Sequence, residues 1–531
     1  MRGRDPSAIH PSSGITTPEV SRPGSPGTPR PGSPHRGPPK EPLSRSPSVT
    51  PPPPAAQDAD ATGVDDVYSA FSRPAKVFIV ACAAMSGFMS PFAINIFMPA
   101  IPVITQALAI SNSQSLLAVT VYMIFQGLSP SIWGPLSDQY GRRPILIATF
   151  TVFLVANLGL SFANVYWALL LLRMLQACGA SSAIAIGAGC ISDVSQRKER
   201  GTYMGYFQAG TLIGPSIGPV IGGLMSQNWD WHAVFFFLAA FGGVFLMFLV
   251  LILPESLRCL VGNGALRPVG IWRTPIRLNL LDPQFAHTRA SMRMPPRVRW
   301  STLGFGQSWR MFAVPDVAMM VAAYALPFCT FTLVTTTLSQ TLKGTYGYSN
   351  VVMGLCFLPV GAGSAVGSVL SGIVLDWDYR RAAQKYGLHT SLYRARLKNL
   401  PMYSVFFHGL AIANGWCLDH YVHIAAPLLL QFFASLFAIM YFNSLNTILV
   451  DLYPDRAASV TAAINIGRCL LAALFVGVVQ YMIDAMGLGW MFTMVSLLTF
   501  ILPIPLTEVV MRIGPHWHAA RAELRVSEKP T

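Results

Sequence analysis

Apolar stretches of about 20 residues recur along most of this chain, and they limit its fold more than any other feature. Each stretch is long enough to cross a lipid bilayer as a helix. Only 11% of the 531 residues are charged, whereas soluble chains carry about 25%. The sequence therefore predicts an all-α polytopic membrane protein.

The positions of these stretches predict twelve transmembrane helices. The predicted spans are 77–103, 115–135, 144–163, 165–191, 202–225, 232–253, 316–338, 350–375, 401–418, 423–449, 457–482 and 488–511. With loops alternating between two sides, all 37 Lys and Arg residues except Arg173, Arg468 and Lys343 lie outside the spans on the side of the termini. Basic residues concentrate in cytoplasmic loops, so both termini are expected to be cytoplasmic. The net charge of +14 then reflects basic residues facing anionic lipids, and no nucleic-acid partner is expected.

Composition divides the chain into five segments. These are an N-terminal tail (1–75), a six-helix bundle (76–254), a linker loop (255–315), a second six-helix bundle (316–512) and a C-terminal tail (513–531). The N-terminal tail is rich in Pro, Ser and Gly and is expected to be disordered, because it cannot bury enough apolar surface to fold. Its Ser/Thr-Pro steps are either targets of a proline-directed kinase or parts of an unregulated spacer; they lie at Thr17, Ser25, Thr28, Ser33, Ser46 and Thr50.

The linker loop carries nine Arg residues and no convincing helical period. We expect it to be held loosely at the membrane surface. A binding site for a regulatory partner or a lipid is the alternative.

One motif occurs twice, between the second and third spans of each half. At a constant offset of 238 residues, "GPLSDQYGRRP" and "GIVLDWDYRR" share four positions: Gly134, Asp138, Arg142 and Arg143 match Gly372, Asp376, Arg380 and Arg381. A second echo relates Asp193 to Asp451. Two parallel six-span repeats with a site between them near the bilayer middle are typical of alternating-access transporters.

The first copy, residues 134–144, is here called the latch turn. Gly134 and Gly141 permit close approach and unusual dihedral angles. Asp138 and Arg142 are four residues apart and can pair if the helix continues, or Asp138 can face the positive N-terminus of a neighbouring helix. Either contact would hold one state of a transporter. A charge cluster that only fixes the topology is the alternative.

Several motifs, in order, resemble those of the major facilitator superfamily. The latch turn looks like its loop 2–3 signature, while "RMLQACGASSA" (173–183), "GTLIGPSIGPVIGG" (210–223) and "LPES" (253–256) resemble motifs of its twelve-span drug:proton antiporters. Residues 77–520, including "VTVYMIFQGLSPSIWGPLSDQYGRRP" and "MRIGPHW", resemble the fungal branch that contains the quinidine-resistance and dityrosine transporters. The resemblance implies a major facilitator fold and secondary active export by alternating access, driven by the proton gradient across the plasma membrane.

Arg173 is the ionisable residue deep in the first six spans, where a charge is costly and marks function. The repeat-related position is Gln431, so the second half does not copy the arginine. The resemblance implies that Arg173 handles protons, with Gln176 and Asp193 as further candidates. Anion recognition and a structural hydrogen-bond hub are the alternatives.

No Asp or Glu lies deep in any predicted span, and Asn95 is neutral where several bacterial exporters carry an acid. A carboxylate relay through the middle of the membrane is therefore not expected. Arg468 lies near an end of its span and is expected to extend its charged head toward the membrane surface.

Glycines recur every four residues on one face of the fifth span, at Gly210, Gly214, Gly218 and Gly222. Such a face admits another backbone closely, and Pro215 and Pro219 would bend the helix. The eighth span offers Gly363, Gly367 and Ser371 at the same spacing. The resemblance implies that these two helices meet between the halves. Ordinary small-residue packing is the alternative.

Candidate residues for a substrate cavity are polar or aromatic and lie in spans that line the path in the resembled family. They are Asn95, Tyr122, Gln126, Gln208, Tyr324, Phe328, Phe331, Asn443, Asn446 and Asn465. A mostly apolar cavity with few polar groups suits amphipathic organic molecules such as drugs or secondary metabolites.

The expected partners are a small organic substrate, protons and membrane lipids, with the chain acting as a monomer. An exporter of organic anions without strict proton coupling is the alternative, and a non-transporting sensor is a third class. The eight Cys residues show no metal-ligand spacing, and no nucleotide-binding loop or nucleophile elbow occurs. Neither an enzymatic activity nor a cofactor or metal is expected.

Overall fold

A computed structural model of the protein describes residues 69–266, 268–276, 306–344, 346–386, 392–453 and 457–527. Residues 69–72 lead into the first helix, whose N-terminus is capped by Ser72 through the backbone N–H of Ala75. The Ser/Thr-Pro steps of the N-terminal tail lie outside the described residues, as does most of the arginine-rich part of the linker.

The first half forms six membrane crossings, two of which are interrupted. Its helices are α1 (Arg73–Asn95), α2 (Ile101–Ala107), α3 (Asn112–Leu128), α4 (Pro130–Tyr140), α5 (Arg142–Leu160), α6 (Tyr166–Val194), α7 (Arg197–Asn228), α8 (His232–Ile252) and the short α9 (Arg258–Val261). The first crossing breaks between α1 and α2 at a turn containing Pro99. The second breaks between α3 and α4 before Pro130, because proline has no N–H to donate.

The second half repeats this arrangement. Its helices are α10 (Gln307–Arg310), α11 (Pro315–Gly344), α12 (Asn350–Leu355), α13 (Leu358–Tyr386), α14 (Leu392–Leu397), α15 (Leu400–Asp419), α16 (Ala425–Leu452), α17 (Ala457–Ile501) and α18 (Pro503–Ser527). Gly487, with φ +79°, interrupts α17 and separates the eleventh crossing from the twelfth. Asp419 caps the new start by accepting a hydrogen bond from Leu488 N at 3.2 Å.

The predicted number of crossings is confirmed. Nine segments of the described residues are long and apolar enough to cross a membrane, and the last of them, Ser459–Trp517, contains two crossings separated by Gly487. The helices α7 and α15 complete the twelve, with 32 and 20 residues. Glycines and polar residues lower the mean hydropathy of α7. The helix can carry them because much of it packs against α1, α12 and α13.

Equivalent helices pack in equivalent ways within each half. In the first half α1 packs on α6 and α7, and α5 packs on α6 and α8. In the second half α11 packs on α16 and α17, while α15 packs on α16 and α17. The described residues thus form two six-helix bundles, as the sequence predicts.

The halves meet mainly where α7 packs on α12 and α13 and where α3 packs on α17. We call the side on which α1 begins and α18 ends the tail face. Asn350 Nδ2 donates to Ser226 O at 3.1 Å and Val351 N donates to Gln227 Oε1 at 2.9 Å, away from the tail face. The contact between α7 and α12 therefore fastens the halves together at the opposite face.

The start of the linker is folded against the first half. Leu257, Leu260 and Val261 are buried, and Asn263 O accepts a hydrogen bond from Ala70 N at 2.9 Å. The expectation of a loose linker is wrong for residues 255–276, because apolar residues spaced along α9 bury a small core of their own. The linker was judged by its many arginines, and the spacing of these apolar residues was not considered.

Candidate functional site

Arg173 of α6 is fully buried in a cage of aromatic rings. Its guanidinium carbon lies 4.1 Å from the ring centre of Phe97 and 4.4 Å from that of Tyr122. Ring faces attract a cation and partly replace lost hydration. Nη1 donates to Gln176 Oε1 at 2.7 Å, whereas Nε and Nη2 have no hydrogen-bond partner among the described residues. We call Arg173, Phe97 and Tyr122 the arginine cage.

An amide pair supports the arginine cage from the next helix. Gln176 Nε2 donates to Asn157 Oδ1 of α5 at 2.7 Å. The second half contains a similar pair, in which Gln431 Nε2 donates to Asn414 Oδ1 at 3.2 Å. Both halves therefore have a helix-bridging amide pair, but Gln431 occupies the position that matches Arg173, whereas the first half has the guanidinium there and its amide, Gln176, three residues later. Sequence reasoning missed Asn157, since one asparagine in an apolar run gave no signal of its partner.

A chain of hydrogen bonds leads from the cage across the boundary between the halves. Tyr122 Oη donates to Ser90 O at 3.2 Å, and Gln126 Nε2 donates to Ser90 Oγ at 3.3 Å. On the other side Asn465 Nδ2 donates to Gln126 O at 2.9 Å and Arg468 Nη2 donates to Asn465 Oδ1 at 2.9 Å. We call these five residues the central polar chain. Three of them are predicted cavity residues.

Arg468, which was expected to extend toward the membrane surface, contacts an amide and an aromatic ring within the protein. Its guanidinium carbon lies 5.0 Å from the ring centre of Phe328, and its Nε and Nη2 both approach Asn465 Oδ1. The neighbouring amide and ring offer polar and π contacts inside the protein, which the span position alone did not reveal.

Four aromatic rings form a wall beside Arg468. Phe442 lies 4.8 Å from Tyr324, 5.7 Å from Phe328 and 6.0 Å from Phe331, measured between ring centres. These four residues are called the aromatic wall. Three of them are predicted cavity residues, whereas Phe442 was not predicted because it lies within an apolar run next to the polar Asn443.

The remaining predicted cavity residues lie elsewhere. Asn95 Nδ2 donates to Pro91 O of its own helix at 2.7 Å, and Asn443 Nδ2 donates to Ser371 Oγ at 2.8 Å, joining α16 to α13. Gln208 is exposed, and Asn446 is partly buried on α16. None of these four contacts the arginine cage or the central polar chain through a hydrogen bond recorded in the described residues.

The latch turn lies at the tail face and is held by Arg142. Arg142 Nη1 lies 2.5 Å from Asp138 Oδ1, and Arg142 Nε donates to Asp193 Oδ2 at 2.9 Å. The Asp138 pair was predicted on condition that the helix continues, but the helix ends at Tyr140 and Gly141 has φ +110°. A Cβ at Gly141 would lie 2.5 Å from Glu255 Oε2, so both the backbone angle and the space require glycine.

Gly134 makes no close approach in this structure, because a Cβ built there would meet nothing within 4 Å. Its predicted packing role is therefore not seen in this state. Gly189 takes that role instead, since a Cβ there would lie 2.7 Å from the guanidinium carbon of Arg142.

Glu255 is a further residue of this region, and its "LPES" motif was noted only as a resemblance. Its buried carboxylate accepts hydrogen bonds from four backbone N–H groups, two of them at the start of α5, at 2.9 to 3.2 Å: Arg142, Arg143, Ser256 and Leu257. Burial raises the pKa of Glu255, and these N–H groups oppose the rise. A carboxylate also stabilises the positive N-terminus of a helix.

Arg143 provides the complementary contact at the end of α8. Its Nε donates to Leu253 O at 2.9 Å and its Nη2 donates to Val250 O at 2.6 Å. A cation favours the negative C-terminus of a helix. Glu255 and Arg143 therefore join α5 and α8 through oppositely charged helix ends.

The second copy of the latch motif folds differently. Helix α13 continues through position 379, which matches Gly141, because no glycine breaks it there. Asp376 and Arg380 are exposed, and Arg381 lies over Trp377 with its guanidinium carbon 4.1 Å from the ring centre. Asp451, the counterpart of Asp193, pairs with Arg396 of α14 at 3.2 Å. Arg396 was missed because it lies outside the repeated motif.

The glycine face of α7 packs within its own half. A Cβ at Gly210, Gly214, Gly218 or Gly222 would contact Ala84, Phe92, Asn95 or Ile96 of the first crossing. Likewise Gly363 and Gly367 face α16. The two helices do pack together, but through Gly354 against Pro219 and Gly361 against Ser216. The two helices therefore meet between the halves as expected, but through other glycines than the predicted ones, because a four-residue spacing defines a face but not its partner.

Comparison with known proteins agrees with this architecture. Residues 83–477 match the family model described as Major Facilitator Superfamily. The chain is 33% identical over 488 residues to Citrate exporter 1 of Aspergillus niger, covering 86% of this chain and 90% of the relative. It is 32% identical over 473 residues to Quinidine resistance protein 1 of Saccharomyces cerevisiae, covering 81% and 82%.

A solved structure shares the fold at low sequence identity. The crystal structure of a bacterial homolog to the human lysosomal transporter Spinster gives a TM-score of 0.58 at 14% identity, covering 83% of this chain and 97% of that one. The family match, the fungal relatives and the two six-helix bundles all agree. This chain belongs to the Major Facilitator Superfamily of multi-pass membrane transporters.

Proposed function

We propose that the protein is a secondary active exporter of amphipathic organic compounds that works by proton antiport. The observation that carries this proposal is the arrangement of the central polar chain beside the aromatic wall, where the two halves meet. Few polar groups next to apolar rings suit a substrate with a polar end and an apolar body. The relatives named as a quinidine resistance protein and a citrate exporter support export of organic molecules.

Alternating access is proposed to arise from rocking of the bundles 76–254 and 316–512 in a monomer. The contacts of α7 with α12 fasten the halves at the opposite face, whereas the latch turn pairs within its own half. The Asp138 side chain is 61% exposed, and we propose that it exchanges its pair with Arg142 for a new contact when the tail face closes. The tail face, which carries most basic residues, is proposed to be cytoplasmic and the membrane to be the plasma membrane.

Proton coupling is proposed to involve the arginine cage and the Arg142–Asp193 pair. Arg173 combines complete burial with two donors that lack a partner among the described residues, and Asp193 is a partly buried carboxylate on the same helix. A second candidate function is export of organic anions. No ion pair among the described residues includes Arg173 or Arg468, so neither positive charge has a carboxylate partner there.

We expect the protein to confer resistance to amphipathic compounds, and to secrete organic metabolites, in yeast lacking its own drug exporters. Arg173→Ala should lower transport about tenfold or more, since a guanidinium held by a hydrogen bond and two rings is lost. Arg512→Ala is the matched control, because that side chain is 75% exposed and pairs only with Glu508 in the described residues. Resistance and initial rates of efflux measure the result.

A protonophore separates the parts of this proposal. Export that stops when the proton gradient is dissipated supports antiport. Export that continues unchanged would refute antiport while leaving export in place. If no compound is exported by the wild-type protein, the proposed function itself is refuted.

The latch turn gives a second prediction. Asp138→Asn should lower the transport rate about tenfold, through loss of about 1.4 kcal/mol from the state closed at the tail face. The melting temperature should change little, because exposed ion pairs contribute about 0–1 kcal/mol. Asp376→Asn is the control, since it alters the matching and exposed residue of the second half. Equal transport by the two variants would contradict a latch role for Asp138.

A further inference from the structure

We propose that Arg468 binds the carboxylate of the substrate and that the preferred substrates are organic acids with an aromatic or similarly apolar body. This inference rests on the proposed export function and narrows its substrate class. It is carried by the charge balance of Arg468, its position between the halves and the aromatic wall beside it.

Among the described residues, the hydrogen-bond partners and the ring neighbour of the Arg468 guanidinium are all neutral. Its Nε and Nη2 donate to one atom, Asn465 Oδ1, at 3.2 and 2.9 Å, and its other polar neighbours are the Tyr324 hydroxyl and the Cys469 thiol. A guanidinium carries five N–H donors in a planar fork. A carboxylate offers that fork two oxygens and a compensating charge, whereas a single amide oxygen offers neither.

Arg468 lies where a bound substrate would affect the contact between the two halves. It follows Ala457, the start of α17, by eleven residues, which places it about 16 Å along the helix from the tail-face end. Its acceptor, Asn465, also donates to Gln126 O of the first half at 2.9 Å. A carboxylate that accepts hydrogen bonds from Arg468 competes with Asn465 for the guanidinium. It therefore alters the hydrogen-bond link between the halves.

The aromatic wall provides a surface for the remainder of such a substrate. Tyr324, Phe328 and Phe331 are only partly buried, so their rings are not fully covered by protein. Phe328 also lies beneath the guanidinium, 5.0 Å from ring centre to Cζ. An acid that places its charge on Arg468 brings an attached ring against this wall, where aromatic pairs gain additional stabilisation.

Arg173 is less suited to the first contact with substrate in this state. Its side chain is fully enclosed, and rings cover the guanidinium at 4.1 and 4.4 Å. Arg468 is partly exposed and has one ring at 5.0 Å. The competing explanation for Arg468 is purely structural, namely that it stabilises Asn465 and the wall by hydrogen bonds and a cation–π contact.

Binding of matched probes to the purified full-length protein distinguishes these explanations. The probes are phenylbutyrate, its neutral amide and its methyl ester, which share one apolar body. We expect the wild-type protein to bind the acid about tenfold or more tightly than the amide. The reason is that the guanidinium of Arg468 can form two charge-assisted hydrogen bonds with a carboxylate. Arg468→Gln should reduce the affinity for the acid to that for the amide and leave the amide affinity unchanged. Arg512→Gln should preserve the wild-type ratio.

Arg468→Lys keeps the charge without the planar fork and should show an intermediate ratio. This variant also decides the question if Arg468→Gln fails to fold. Equal binding of acid and amide by the wild-type protein, or an Arg468→Lys variant with the full wild-type ratio, would overturn the inference. A parallel fall for all three probes in Arg468→Gln would assign the residue a structural role.

The inference and the proposed function fail in different ways. Export of neutral compounds without preference for acids refutes carboxylate recognition and leaves export standing. Absence of export for every compound in the yeast assay refutes the function, whatever the binding ratios are.

Discussion

Replacing Gly354 with valine is expected to reduce transport by about tenfold to a hundredfold. Gly354 lies on α12, where a Cβ would overlap the backbone carbonyl of Pro219 on α7. A side chain there must push these helices apart at the opposite face, and overpacking of this kind costs about 1–3 kcal/mol. Since α7 and α12 fasten the halves at that face, the state closed there becomes less populated. Efflux from membrane vesicles measures the loss.

Gly372→Val is a matched control for this prediction. Gly372 lies on α13, and a Cβ there would meet nothing within 4 Å, so the same substitution adds no clash. We expect it to transport at close to the wild-type rate.

A direct readout of closure is labelling of Ser226→Cys, in a Cys417→Ser background, by a membrane-impermeant maleimide added from the opposite face. Ser226 is buried and its carbonyl accepts from Asn350, so Gly354→Val should increase its labelling. Unchanged labelling and unchanged transport would contradict the assigned role of this contact.

Glu255→Ala is expected to lower the free energy of unfolding by about 3 kcal/mol. The substitution removes the acceptor of four backbone N–H groups and leaves the start of α5 without its carboxylate. Removing one member of a buried, charge-assisted network is costly because its partners remain buried and unpaired. Denaturant or thermal unfolding in detergent measures the change.

Two further variants define this effect. Glu508→Ala removes an exposed carboxylate that pairs with Arg512 and should change stability by about 0.5 kcal/mol or less. Glu255→Gln keeps one acceptor oxygen but places the side-chain NH2 group against backbone N–H donors. The free energy of unfolding of this variant should therefore lie between those of Glu255→Ala and the wild-type protein. If Glu255→Ala were as stable as Glu508→Ala, the carboxylate would not be the element that joins α5 to the linker.

Parts of the site were predictable because they follow from local sequence. Arg173 was identifiable because a charge inside an apolar span is costly wherever the helix packs. Asp138 and Arg142 were identifiable because four residues of spacing bring their side chains together. The geometry of this pair nevertheless differs from the prediction, since Asp138 and Arg142 pair across the break at Gly141 and not along a continuous helix.

Other parts depended on contacts between residues far apart in sequence. Glu255 reaches the start of α5 from more than a hundred positions away, and Asp451 pairs with Arg396, which lies outside the repeated motif. The sequence around Glu255 or Arg396 does not predict which residue each one contacts. Arg468 was expected at the membrane surface because span position was considered without the neighbouring amide and ring.

The sequence by itself determined that this chain crosses the membrane twelve times and belongs to its family. The hydrophobic effect acts on each apolar stretch separately, and the motifs are contiguous, so both can be recognised without knowing how helices pack. Only the tertiary structure decided which helix faces meet and where the halves are fastened. It also decided that the guanidinium of Arg468 lies beside the aromatic wall. Those outcomes depend on close packing and paired polar atoms across distant segments, which no single stretch of sequence specifies.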